Sequence, residues 1–308
     1  MTYPKVSVVV CTRNRAKHLR SALTYYESIA TDLPWELVIV DNGSTDPTPA
    51  VLREFRAQTS INLQAILEPR PGVSRARNTG WRSACGEVIA FTDDDCYPQS
   101  DFVDQVWRAF SEAEVGYVGG RVLLYDPADY PITIQTRDSH LAIPASSFIE
   151  AGLIHGANVA VRRDVLRMVG GFDELLGPGM PIPAGEDVDF ISRLSIAGIA
   201  GAYDPGPTVF HHHRRRTESQ VAALRRSYDL GRGAYYIKCI LDPARRWLGI
   251  KHWVRSIKWR LAESVRRPHC TLSVIREIQG AFQYVCAAAL GMCDRTSKSL
   301  SHPRSRGE

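Results

Sequence analysis

Three short apolar runs decide most of what this chain can fold into. They are Ser7-Val-Val-Val-Cys-Thr12, Glu36-Leu-Val-Ile-Val-Asp41 and Val88-Ile-Ala-Phe-Thr-Asp93. Each is nearly continuous and rich in β-branched residues, which is how a strand buried on both faces of a parallel sheet reads. Helical patterns fall between them, at about 16–28, 48–57 and 74–84, and Leu63–Leu67 is a weaker strand candidate. The alternation predicts an α/β fold, a layered sheet with helices on both faces and right-handed crossovers. In such sheets ligands sit at the carboxyl ends of the strands. Polar residues gather there: Thr12-Arg-Asn-Arg15, Asp41-Asn-Gly-Ser-Thr-Asp46 and Asp93-Asp-Asp95.

The remaining features narrow the class. With 308 residues, 44% hydrophobic and 23% charged, the composition is that of a globular chain and excludes wholesale disorder, collagen and coiled coil. No apolar run approaches the roughly 18–20 residues that span a bilayer; the best, Ala281 to Cys293, has 13 and includes Gln283. The first residues lack a basic segment, a long apolar stretch and a cleavage site, so no signal peptide is expected. Seven scattered cysteines without C-x-x-C spacing suggest reduced thiols and a cytoplasmic location. No P-loop, dinucleotide fingerprint or internal repeat is present.

Four constellations carry chemistry. Three adjacent carboxylates, Asp93 to Asp95, repel one another unless a cation or many donors attend them; a hard divalent ion would resolve this, as would a solvated acidic turn. Asp41-Asn42-Gly43-Ser44 reads as a tight turn whose carboxylate can accept from a base or ribose. Gly185-Glu186-Asp187-Val188-Asp189 places acids in the first turn of a helix, where they match its dipole or supply a general base. His211-His212-His213, followed by Arg214-Arg215-Arg216, offers a metal ligand and phosphate partners, or an exposed basic loop.

The order of these segments resembles glycosyltransferase family 2, the inverting nucleotide-sugar transferases of GT-A fold. The resemblance runs over about residues 5–213. It also includes Pro71-Gly-Val-Ser-Arg-Ala-Arg-Asn-Thr-Gly80, Gly156-Ala-Asn158 and Val169-Gly-Gly-Phe-Asp-Glu174. It implies that Thr12, Asn14, Arg15 and Asp41 form the nucleotide pocket, with Arg75 or Arg77 and Asn78 beside base or diphosphate. Asp93, Asp94 and Asp95 match the D-x-D motif: Asp93 and Asp94 on the nucleotide sugar, Asp95 with Asp93 on Mg²⁺ or Mn²⁺. One of the three histidines completes the metal set, with His213 taken as the candidate and His211 and His212 left open. Asp187 matches the catalytic base. The resemblance thus implies a metal-dependent transfer from a UDP- or dTDP-sugar to a glycan, lipid-linked or other hydroxyl acceptor, in cell-surface glycan or glycolipid synthesis. The chain departs from the family's strongest pattern at Cys96, where many members carry a polar or acidic residue. It also lacks Gln-x-x-Arg-Trp, which argues for transfer of one or a few sugars. Trp81, Tyr125 and His155 are acceptor-side candidates whose commoner role is structural.

Charge divides the chain. Residues 1–213 carry 18 Lys and Arg against 26 Asp and Glu; residues 214–308 carry 20 against 7. The expected organisation is a catalytic domain at 1–213, a basic helical extension at 214–295 and a disordered tail at 296–308. Trp247, Ile250, Val254, Ile257, Leu261 and Val265, joined by Trp253, form a helical stripe, with Phe282 to Met292 a second apolar patch. A basic, Trp-bearing amphipathic helix suits an anionic membrane surface, the inner face of the cell membrane; packing on the body or in a homo-oligomer is the alternative. No nucleic-acid partner is expected. Rival readings are a sugar nucleotidyltransferase and a non-enzymatic binder of anionic surfaces.

Overall fold

The computed structural model describes residues 3–263 and 269–291. Its elements in order are β1 (Val6–Thr12), α1 (Ala16–Glu27), β2 (Trp35–Asp41), α2 (Thr48–Gln58), β3 (Leu63–Leu67), α3 (Val73–Ser83), β4 (Val88–Asp93), β5 (Cys96–Pro98), α4 (Phe102–Ser111), β6 (Tyr117–Leu124), β7 (Leu141–Ile143), β8 (Asn158–Arg162), α5 (Arg163–Val169), α6 (Glu186–Ile196), β9 (Gly201–His211), α7 (Glu218–Leu241), α8 (Arg246–Glu263) and α9 (His269–Ala289).

All strands join one sheet in the order β3-β2-β1-β4-β8-β6-β9-β5, with β7 on β9. The first four are parallel, as the apolar runs predict. Beyond β4 the sheet is mixed: β8 runs antiparallel to both β4 and β6, while β6 and β9 are parallel. Successive residues point to opposite faces. Val8, Val10, Leu37, Ile39 and Ala90 therefore pack under α1, α2 and α4. Val9, Val38, Val40, Ile89 and Phe91 pack against α3, α5, α6 and α7. Helix α3 lies so close to the sheet that a β-carbon on Gly80 would strike Val9.

The segment after His213 is not a loosely attached appendage. A capping box between Thr217 and Gln220 starts α7. Gly231 presses on the Ala184–Gly185 backbone, and a β-carbon on Gly185 would stand 2.8 Å from the Gly231 carbonyl oxygen. On the other side of α7, Gly233 meets the Glu277 backbone and Gly280 meets the Leu230 carbonyl, so α7 and α9 cross in backbone contact. Buried ion pairs reinforce the join. Asp189, fully buried on α6, is met by Lys238 at 2.7 Å and Arg193 at 3.1 Å, with Arg245 at 3.8 Å. Glu277 receives Arg232, Arg260 and the Trp253 indole N–H. Part of the basic charge read from the sequence is thus spent inside the molecule.

The apolar stripe on α8 divides. Trp253 stacks on Tyr236, with ring centroids 5.5 Å apart, and Ile250 and Ile257 are half-buried, whereas Trp247 and Val254 face outward. Val265, Met292 and the segment 296–308 lie outside the described residues.

Gly233→Ala tests the helix crossing. Alanine favours an isolated helix by about 1 kcal/mol, but here it collides with backbone, so the variant should lose on the order of 2 kcal/mol in urea unfolding. Asp189→Asn should cost roughly 3 kcal/mol at neutral pH, since it strips the shared partner from buried cations. Burial alone would raise the Asp189 carboxyl, but Lys238, Arg193 and Arg245 outweigh it and hold it at about 2. Its contribution is therefore present above the ordinary value of 3.8 and fades as pH falls toward about 2. The deficit of the variant in melting temperature should shrink over that window.

Candidate active site

The carboxyl ends of β1, β2 and β4 open on a cleft of about 590 Å³. Its far wall comes from α6, the loop at 151–157 and, beyond the expected domain boundary, Arg215 and the α7 residues Leu224, Tyr228 and Arg232. The three α7 positions are four residues apart, one face of a helix.

The acidic triad is held by the protein's own donors. Arg77 reaches Asp93 at 2.9 Å and Glu186 at 3.1 Å. Arg15 reaches Asp94 at 2.6 Å and Asp95 at 2.8 Å with one nitrogen, and the Thr12 hydroxyl donates to Asp94 at 2.6 Å. Burial pushes Asp94 up to about 6 against the pull of Arg15 and Thr12. Burial also opposes charge on Asp95, but a hydrogen bond from His211 and the Arg15 guanidinium prevail and hold its carboxyl well below the usual range. Asp93 is the most open of the three.

The histidines separate by what their ring nitrogens do. His211 turns Nε2 to Asp95 at 3.4 Å and Nδ1 to Thr133. His212 points away, toward Tyr97 and Tyr125. His213 corrects the expectation. Its Nδ1 accepts from the Arg215 amide, and its Nε2 faces the Tyr130 carbonyl at 3.0 Å, so both nitrogens are used by backbone and no lone pair remains for a cation. Among the described residues, Asp95, Cys96 and His211 gather ligand atoms within 4.8 Å of one another.

Asp187 stands half-buried in the first turn of α6, after Gly185 at φ +92°. It accepts from the Gly156 amide at 3.2 Å and the Val188 amide at 2.7 Å. Beside it, burial and then Asp187 itself push Glu186 up to about 7 despite Arg77.

Of the residues singled out from sequence, Thr12, Arg15, Arg77, Asp93, Asp94, Asp95 and Asp187 line the cleft together, as does His155. Others support it from behind. Asn14, at φ +54°, accepts from the Thr45 and Asp46 amides and ties the β1 loop to the β2 loop. Asp41 accepts from the Ser44 amide, and Asn78 fastens α3 to Phe172. Arg75 pairs with Glu174 at 3.2 Å, outside the cleft lining. Trp81 donates to Asn78 and Tyr125 packs on Tyr97, both away from the cleft. Asn42, Glu186 and Arg215, named in the sequence only as members of their runs, also line the cleft, and sequence reasoning missed Tyr228 and Arg232. The 224-228-232 spacing was the one available signal for the last two.

Comparison with known proteins agrees with this geometry. The family description Glycosyl transferase family 2 matches residues 7–170. Glycosyltransferase AglE of Haloferax volcanii is 28% identical over 265 residues, 82% of this chain and 81% of that protein. Among solved structures, the mannosyltransferase PcManGT from Pyrobaculum calidifontis, in complex with GDP-Man and Mn²⁺, aligns with a TM-score of 0.62 at 22% identity, covering 96% of this chain and 82% of that one. S. aureus TarS 1-349 in complex with UDP-GlcNAc aligns at 0.60 and 17% identity, covering 92% and 79%. These likenesses identify the GT-A fold. With more than half of its length matched, the chain belongs to glycosyl transferase family 2 and is a glycosyltransferase.

Proposed function

We propose that the protein transfers a sugar from a nucleoside diphosphate to an acceptor hydroxyl, with inversion at the anomeric carbon and with Mg²⁺ or Mn²⁺ as cofactor. The observation that carries this reading is the shared cleft: a carboxylate at a helix start, Asp187, lines the same pocket as Asp93, Asp95 and His211 at the sheet end. The pocket's volume is in the range of small-ligand and cofactor sites.

The sheet end suits a hard divalent ion. Asp95 and His211 converge, Asp93 is open to the cleft, and the Arg15 guanidinium already lies across Asp94 and Asp95, so positive charge is accommodated there. Asp95 and His211, with Asp93, would hold the cation, which when bound stabilises the leaving diphosphate as a Lewis acid. Arg15 and Arg77 add fixed positive charge beside the same leaving group. Asp187 takes the proton of the acceptor hydroxyl as its oxygen attacks C1; the bond from C1 to the diphosphate oxygen breaks and the nucleoside diphosphate departs. One displacement inverts the centre.

The family resemblance implies a uridine or thymidine donor, and the absence of Gln-x-x-Arg-Trp favours transfer of one or a few sugars in cell-surface glycan or glycolipid assembly. The donor base is decided by thermal shift with UDP, dTDP and GDP, each with and without Mn²⁺: one nucleotide should stabilise the native state in a Mn²⁺-dependent manner. Asp187→Asn should lower turnover by about three orders of magnitude while donor binding stays near wild type; near-normal turnover would remove Asp187 as the base. His211→Ala should weaken Mn²⁺-dependent nucleotide binding by about tenfold or more. His213→Ala should leave that binding intact and lower the melting temperature instead. Pyrophosphate release from a nucleoside triphosphate and a sugar phosphate would favour nucleotidyl transfer. Salt-sensitive nucleic-acid binding without nucleotide-sugar binding would favour a non-enzymatic role.

A further inference from the structure

Helix α9 is apolar on two sides. Its inner side, with Val274, Ala281 and Ala287, is buried among its neighbours. Its outer side carries Leu272, Ile275, Ile278, Phe282 and Val285, three or four residues apart, with Leu290 just beyond the helix; these are between 41% and 76% exposed. Single exposed apolar residues are ordinary, but a five-member row along one helix marks a contact surface. On α8, Trp247, Val254 and Trp259 are exposed as well.

We propose that the outward sides of α8 and α9 form a docking surface for an anionic lipid bilayer, on which the helices lie in the plane of the interface. Charge argues for this occupant. Helix α8 carries Arg246, Lys251, Arg255, Lys258 and Arg260 against a single acid, Glu263. Arg260 is consumed by Glu277 and Arg255 by Glu150, but Lys251 and Lys258 are exposed and make no ion pair among the described residues. A second copy of this chain would bring the same cations face to face with almost no acid to meet them. A bilayer with anionic headgroups meets both needs: it takes the apolar row into its acyl boundary and the lysines at its surface. Tryptophan favours that depth. Among the described residues no helix is long and apolar enough to cross a membrane, so the contact is one of lying on it. Since α9 crosses α7 in backbone contact and α7 lines the cleft, the lipid-facing helix is one layer from the active site.

The test is sedimentation of the full chain with phosphatidylcholine vesicles, and with vesicles that also contain phosphatidylglycerol. The protein should partition to the anionic vesicles about tenfold more strongly at low salt and lose much of that preference at high salt. Ile278→Gln with Phe282→Gln should reduce partitioning by about tenfold, and Lys251→Glu with Lys258→Glu should abolish the anionic preference. All four positions are exposed or at the surface, so melting temperature and Mn²⁺-dependent nucleotide binding should not move. Absence of binding to anionic vesicles, or binding indifferent to both double variants, would overturn the proposal. So would light scattering that shows a wild-type dimer dissociated by Ile278→Gln with Phe282→Gln, which would assign the face to a second copy.

Discussion

Everything at this site depends on keeping three consecutive carboxylates charged and close at the end of β4. Like charges at that spacing raise one another's affinity for protons, and burial adds to the effect. The chain answers with partners from three places: the guanidinium groups of Arg15 after β1 and Arg77 on α3, and the imidazole of His211 at the end of β9. The answer is uneven. Asp95 is held strongly ionised, whereas Asp94 is pushed up to about 6 and works as an anchor for Thr12 and Arg15. Asp93 is the one left open to the cleft. Three residues of one type in a row thereby acquire three environments.

The sheet was legible because a strand buried on both faces has a composition that few other elements share. β1, β2 and β4 are read from their apolar runs, and α6 from acids followed by an apolar helix. β8 was not, because five residues inserted antiparallel between β4 and β6 carry no period long enough to detect. Arg75 and Arg77 show a second limit. Two positions apart on a helix are about 200° apart around its axis, so one faces the cleft and the other Glu174; sequence supplies the spacing but not the phase. The histidine run shows a third. All three side chains are equivalent as residue types, and only the backbone around Tyr130 and Arg215 reveals that both nitrogens of His213 are occupied.

The basic half of the chain teaches a related lesson about charge. A large positive excess suggests an external partner, yet Arg232, Lys238, Arg245 and Arg260 serve Asp229, Asp173, Asp189, Asp242 and Glu277 within the fold. Two of those acids, Asp173 and Asp189, belong to the acidic half. The opposite signs of the two halves are thus in part a complementarity that closes the molecule on itself. What is left for the outside is a smaller set of lysines and arginines beside an apolar face.

The contact between Gly185 and Gly231 has a consequence for what counts as the catalytic unit. The family match ends at residue 170 and the resemblance at about 213, but the loop that presents Asp187 rests directly on the backbone of α7. A fragment cut at either boundary would keep most of the parallel half of the sheet and lose the support that sets the height and tilt of its acid. A side chain at Gly231 would meet the Ala184 backbone and displace the start of α6, which carries Asp187. The smallest segment able to preserve the site's geometry therefore runs through the helices that a sequence reader would trim first.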